Sequence, residues 1–234
     1  MAPRLRVLVV DRFEQPFRLR LPFRFGVVTV THGRLAIVRV RIRTADGREG
    51  EGWAAEALAA KWFDKNPALT DEQNLHQLRK ALELTADAYR SAPALTAFDL
   101  HAEHHRAIVE AGGAFELLPL VASYGPALVD RAVLDALCRL EGVSFWRAMR
   151  ANLPGMRRHA IVPDLHDFDF GAFLATLEPA PDIEARHTVG LVDPIVATDQ
   201  PSGSRVDDGL PETLAEVVDT YGQRFFKLKV GGDV

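Results

Sequence analysis

The chain has 234 residues, 47% of them hydrophobic and 26% charged, with a formal net charge of -4. That length and balance suit one large or two modest globular domains, exclude a disordered chain, and offer no basic face for a nucleic-acid backbone. The single cysteine, Cys138, has no partner in the chain for a disulfide, so a reducing, cytoplasmic setting is expected.

The opening MAPRLRVLVVDRF has an apolar run too short for a signal peptide. No apolar stretch elsewhere is long enough for a bilayer-spanning helix, so no membrane partner is expected. Residues 4 to 55 read as β structure. RLRVLVV and PFRLRLPF are followed by LAIVRVRIRT, in which Ile37 or Val38, Val40 and Ile42 alternate with Arg39, Arg41 and Arg43. Such alternation places apolar side chains on one face of an antiparallel sheet and arginines on the other. Asp46-Gly47 supplies a tight hairpin turn. The glycines at 47, 50 and 52 do not make a phosphate loop, because their spacing is wrong and the stretch lies between strands.

From residue 70 the period becomes helical. Thr70 and Gln73 suit a capping box, and Leu75, Leu78, Leu82 and Ala86 then share one face. A second helix covers AFDLHAEHHRAIVEA up to Gly112-Gly113, and a third is expected from Pro126 to Gly142, with Val129, Val133, Leu137 and Leu140 inward. Strands followed by helices make the first 150 residues an α+β unit. After the loop-rich NLPGMRRHAIVPD the pattern changes. RHTVGLVDPI reads as a short strand, residues 192–209 as a long loop, PETLAEVVDTYG as a helix and FFKLKV as a strand, a β-loop-α-β unit of the parallel kind. A loop of that length covers a site more readily than it merely connects.

On the last strand, Phe225, Lys227 and Lys229 share one face, and Phe226, Leu228 and Val230 the other. An isolated K-x-K is ordinarily a wet strand face. In a barrel, however, the lysines would point into the lumen, where ligands sit.

Three stretches carry a family resemblance. SYGPALVDRAVLDALCRLEGVSFWRAM resembles the helix that leads from the N-terminal capping domain into the barrel in the mandelate racemase and muconate lactonizing branch of the enolase superfamily. GRLAIVRVRIRTADGREGEGWAAE resembles the capping domain's hairpin, and FKLKVGGD the lysine-bearing second barrel strand. The resemblance implies an α+β capping domain over residues 1–150 and, over 151–234, the first strands of an incomplete TIM-type β/α barrel. It also implies a small carboxylate substrate, whose α-proton a lysine removes while Mg²⁺ stabilises the enediolate; the superfamily's lysine base and Mg²⁺ are a familiar instance of pKa tuning. By correspondence Lys229 is the base, and Lys227 tunes it and helps position the substrate. Burial and a second cation both favour a neutral lysine. Phe25, Thr29 and Thr31 in PFRFGVVTVTHG correspond to a lid segment that contacts substrate, as does the turn around EALAAKWFDK. Asp193, just past the first barrel strand, lies where strand ends carry chemistry.

A complete barrel has eight strands, and the family's acidic metal ligands stand at the ends of the third, fourth and fifth, for which this chain has no counterparts. The resemblance therefore implies Mg²⁺ in the complete enzyme and none bound by this chain, which reads as the N-terminal part of a racemase, cycloisomerase or acid-sugar dehydratase, inactive alone. The alternative is a non-catalytic product that binds a partner or self-associates; the family often forms homo-oligomers. Two other clusters have simpler readings. His101 and His105 lie one helical turn apart, a geometry able to hold a metal, but with no third ligand they read as a hydrated helix face. Asp164, His166, Asp167 and Asp169 read as a loop or helix start.

Overall fold

The protein is described here by a computed structural model covering residues 2–25 and 28–230. Gly26 and Val27 of the expected lid segment, and Gly231, Gly232 and Asp233 of FKLKVGGD, lie outside the described residues. The chain divides into two compact units, one of Met1–Pro16 and Arg34–Pro179, the other of Phe17–Gly33 and Ala180–Val234.

The sheet β1-β2-β3 is formed by β1 (Leu5–Phe25), β2 (Val28–Thr44) and β3 (Glu49–Ala57), and the first unit holds β1 up to Pro16, β2 from Arg34 and all of β3. The two apolar runs at the start of the chain are one continuous strand, with Pro16 and Pro22 inside it. β1 is an edge of the sheet, and an edge residue facing away from the ladder loses no bond when it lacks an N–H. The alternation in β2 emerges as expected. Val38, Val40 and Ile42 are fully buried, so Val38 rather than Ile37 takes the core position. At the turn Gly47 has φ of 88°, and the Asp46 carboxylate accepts the Thr44 hydroxyl at 2.5 Å.

Opposite the buried β2 residues, β3 presents Ala54, Gly52 and Gly50. Small residues there let a helix lie directly on the strand. A Cβ on Gly52 would come within 2.1 Å of the Ala136 backbone nitrogen, and one on Gly50 within 3.0 Å of Leu140 Cβ. The glycines after the hairpin thus serve close helix packing, and Asp135 ties the same contact by accepting the Trp53 N–H at 2.8 Å.

The helices of this unit are α1 (Ala60–Phe63), α2 (Asp71–Ser91), α3 (Ala97–Gly113), α4 (Pro119–Ala122), α5 (Tyr124–Leu140), α6 (Phe145–Arg150) and α7 (Phe170–Thr176). The capping box of α2 forms as expected, the Thr70 hydroxyl accepting the Gln73 N–H while the Gln73 side chain accepts the Thr70 N–H. α5 starts at Tyr124, two residues before the expected start at Pro126, because the short α4 runs into it through Ser123. Gly125 at this start lets α5 approach α2, where a Cβ would meet the Ala81 carbonyl oxygen at 2.1 Å. Leu78, Leu82, Leu100, Leu128, Val129, Val133 and Leu137 fill the core under the sheet. Each such side chain contributes about 1.5–3 kcal/mol of transfer free energy.

The family resemblance sets its domain border after residue 150, whereas contacts keep residues 151–179 with the first unit. The Phe98 N–H donates to the Pro154 carbonyl at 2.9 Å, and Arg157 Nε to Asp99 at 2.8 Å. The PDLHDFDF cluster forms a short 3-10 turn at Pro163–Leu165, and Asp169 caps α7 by accepting the Ala172 N–H at 2.9 Å.

The second unit holds β4 (Arg186–Val189), α8 (Leu214–Tyr221) and β5 (Phe225–Leu228), and β4 pairs with β5 in parallel as the β-loop-α-β reading requires. The strand expected over RHTVGLVDPI ends at Val189, because Asp193 folds back to accept the Gly190 N–H at 2.6 Å. α8 opens with a capping box of Thr213 and Glu216 and stops at Gly222, which has φ of 61°. Its apolar Val218 and Tyr221, like Leu228 and Val230 at the end of the chain, are exposed. Among the described residues no helix is long and apolar enough to cross a membrane.

Candidate functional site

β4 and β5 bring the two lysines together with residues of the neighbouring strand. The register sets Thr188 beside Lys227, Arg186 beside Phe225 and Val189 beside Leu228, and the Lys229 N–H extends the ladder to the Val189 carbonyl at 3.0 Å. In a pleated sheet, registered neighbours share a face, so Arg186, Thr188, Lys227 and Lys229 line one side. Both lysines are half-buried, while Leu228 and Val230 on the opposite side are exposed.

Three cations on one side disfavour one another. The Lys227 ammonium is held below the ordinary lysine pKa by Lys229 first, by Arg186 second and by partial burial third. Arg186 was not singled out in the sequence. Its part follows from the parallel register, which a single strand does not reveal.

The Asp193 carboxylate closes the turn after β4 and leaves room only for glycine at position 190, where a Cβ would lie 2.5 Å from Asp193 Oδ1. Asp193 also borders a cavity of about 450 Å³ whose walls include Phe23, His187, Val189 and Leu214. The lysines are absent from its lining. Of the expected lid residues, Phe25 ends β1 with its ring 5.9 Å from that of Phe23, Thr29 is exposed on β2, and the Thr31 hydroxyl pairs with its neighbour His32 Nδ1 at 3.0 Å.

The long loop between β4 and α8 is held by carboxylates used internally. Asp199 accepts the N–H groups of Ile195 and Val196, both at 3.0 Å. Glu212 is buried and accepts those of Val206 and Asp207, both at 2.9 Å. Arg20 reaches Asp208 with two nitrogens, at 2.5 and 2.6 Å, and also the carbonyls of Leu210 and Pro211. The guanidinium holds Asp208 down to a pKa of about 2. A second cavity of about 400 Å³ lies among Arg205, Asp207, Glu212 and Glu216, where Arg205 pairs with Asp207 at 3.1 Å and with Glu216 at 2.9 Å.

Mg²⁺ calls for several oxygen ligands in octahedral geometry. Asp193, Asp199 and Glu212, in the segment between β4 and α8, already serve backbone N–H groups, and no group of three or more His, Cys, Asp or Glu able to hold a metal occurs among the described residues. The described residues do not fit a magnesium site.

No family model matches the chain, and no curated protein matches it. Solved structures do. One is the L-Ala-D/L-Glu epimerase from Bacillus subtilis, 16% identical, with 98% of this chain and 46% of that chain covered and a TM-score of 0.48. Another is a dipeptide epimerase from Methylococcus capsulatus, complexed with Mg and the dipeptide L-Arg-D-Lys, at 20% identity, 97% and 47% coverage and a TM-score of 0.48. A mandelate racemase/muconate lactonizing enzyme-like protein from Rubrobacter xylanophilus is 19% identical over 62% of this chain and 33% of its own, with a TM-score of 0.40. The chain spans from a third to just under a half of the length of these solved chains, 33% to 47%.

Proposed function

We propose that the chain is the N-terminal part of an enolase-superfamily enzyme of the mandelate racemase and muconate lactonizing type. In this reading residues 1–150 act as the capping domain and β4 and β5 as the first two strands of the barrel. The observation that carries it is the parallel β4-β5 pair with both lysines on one side of it. A cationic cluster of this kind is costly on a structural strand, and here it lowers the pKa of Lys227.

Lys229 would take the α-proton of a carboxylate substrate onto its neutral Nζ. Lys227 and Arg186 would attract the substrate carboxylate. Phe25, Thr29, Thr31 and Asp193 would contact the rest of the substrate. The Mg²⁺ that the resemblance implies finds no ligand set among the described residues. The 234-residue chain by itself is expected to be inactive.

The test begins with the intact mass of the native protein in its own cell extract, followed by α-proton exchange in ²H₂O across acid sugars, dipeptides and cyclic carboxylates. A mass above 25.8 kDa, with exchange reduced roughly 10²–10⁴-fold by Lys229→Met, is expected. Exchange that survives Lys229→Met would remove the base from the mechanism. Millimolar Mg²⁺ is expected to leave the melting temperature of the 234-residue chain unchanged.

A second reading, a non-catalytic module that self-associates, is favoured by the exposed apolar side of β5, where Leu228 is 62% and Val230 82% accessible.

A further inference from the structure

His101 and His105 stand one turn apart on α3, in the first unit and outside the site described above. Their rings are 4.9 Å apart between centroids and tilted by 33°. Two imidazoles bound to one metal by bonds of ~2.1 Å, at angles from square to tetrahedral, would have centroids ~4.5–5.2 Å apart. The observed separation falls inside that range.

The hydrogen bonds assign the tautomers. His101 Nδ1 lies 2.7 Å from Asp130 Oδ2, and an ionised carboxylate only accepts, so Nδ1 carries the proton toward it. The other carboxylate oxygen of Asp130 accepts the Tyr89 hydroxyl at 2.6 Å, which holds the carboxylate in place. The Ser123 hydroxyl donates to the Pro119 carbonyl at 2.8 Å, so its oxygen receives the His105 Nε2 proton at 3.3 Å. In the neutral tautomers this leaves one lone pair on His101 at Nε2 and one on His105 at Nδ1. Neither nitrogen has a hydrogen-bond partner among the described residues. Both rings are half-buried and reachable by solvent. A histidine whose second nitrogen donates to a fixed carboxylate has the arrangement that orients metal-bound imidazoles and raises their basicity.

We propose that His101 and His105 form a two-histidine chelate for a late first-row transition-metal dication such as Cu²⁺, Ni²⁺ or Zn²⁺, with Asp130 orienting His101 and water completing the coordination. The site lacks a third protein ligand, consistent with the absence of larger ligand groups among the described residues. Such a chelate is open and exchangeable, suited to capturing or passing on a metal or to pinning the α3 helix. Its imidazole donors exclude Mg²⁺, which prefers oxygen. The preference among metals follows the general order, Cu²⁺ above Ni²⁺ and Zn²⁺.

The experiment titrates the full chain with Cu²⁺, Ni²⁺ and Zn²⁺ separately by calorimetry and records the Cu²⁺ electron spin resonance spectrum. One strong Cu²⁺ site with nitrogen hyperfine splitting from two imidazoles is expected, and His105→Gln should weaken it at least tenfold. His101→Gln should do the same. His104→Gln is the control, since its Nδ1 is engaged with the Leu100 carbonyl at 2.9 Å and its removal should change affinity less than twofold. Circular dichroism verifies that each variant is folded. Asp130→Asn, expected to lower affinity by roughly 10–100-fold, separates the orienting role from ligation. Equal Cu²⁺ affinity in the wild type and the folded His105→Gln variant, or a one-nitrogen spectrum in the wild type, overturns the proposal.

Discussion

At the scale of the residue, the same two histidines set opposite dependences of stability on pH. His101 is raised above its ordinary value of 6.5 by its bond to Asp130, against the opposing effect of burial. Its charged pair with Asp130 therefore stabilises the fold fully below that ordinary value and is lost as pH rises through the raised one. His105 is lowered, by burial first and by His101 second, so protonating it costs stability as pH falls below 6.5. Replacing His101 by Gln should flatten the alkaline decline in the denaturant midpoint, while His105→Gln should relieve the acid-side loss. Denaturation curves at pH 5.5, 7 and 8.5 measure both; a His101→Gln curve that runs parallel to the wild type on the alkaline side would sink the assignment. Helical spacing alone brings the two histidines together. Asp130 and Ser123 reach them from the next helices, and nothing in the local pattern announces that meeting.

At the scale of the element, β3 on α5 is the contact with least tolerance. Gly52→Ala must push a methyl group against the backbone of Ala132 and Ala136, whose nearest atoms would be 2.4 and 2.1 Å away. Overpacking against backbone is not relieved by a rotamer change, so a loss of about 3 kcal/mol is expected from the shift in urea midpoint. Gly113→Ala, at the end of α3 with nothing within 4 Å of the added carbon, should be neutral or stabilise by up to about 1 kcal/mol. Equal stabilities for the two variants would mean that the helix can move off the strand. The hairpin, the α2 capping box and the three long helices were legible because their signals are local: a Gly at positive φ, a side chain returning to its own N-terminus, a period of three or four residues. The function of Gly50 and Gly52 was not, because it lies in the backbone of a helix more than eighty residues away.

At the scale of the whole molecule, the second unit leaves apolar side chains of α8 and of β5 exposed, among them Val218, Tyr221, Leu228 and Val230. A parallel strand pair is ordinarily covered on both faces. The isolated chain should therefore associate as its concentration rises, which sedimentation velocity reads directly, and Leu228→Lys should shift the distribution toward monomer. A monodisperse wild-type monomer at high concentration would count against an open face. Such association would leave the catalytic reading untouched, since the lysines lie on the other side of β5.

Composition, alternation and helical period were enough for an α+β unit followed by a parallel β-loop-α-β unit, because each depends on residues within a turn or two of one another. They were enough also to put Lys227 and Lys229 on one face of a strand. What surrounds those lysines depended on the tertiary structure. Arg186 and Thr188 come from a strand some forty residues earlier, and a parallel register exists only once the intervening loop and helix have closed. The carboxylates beyond β4 show the same limit. Only the folded loop, in which Asp193, Asp199 and Glu212 accept backbone N–H groups, shows that their oxygens are already engaged.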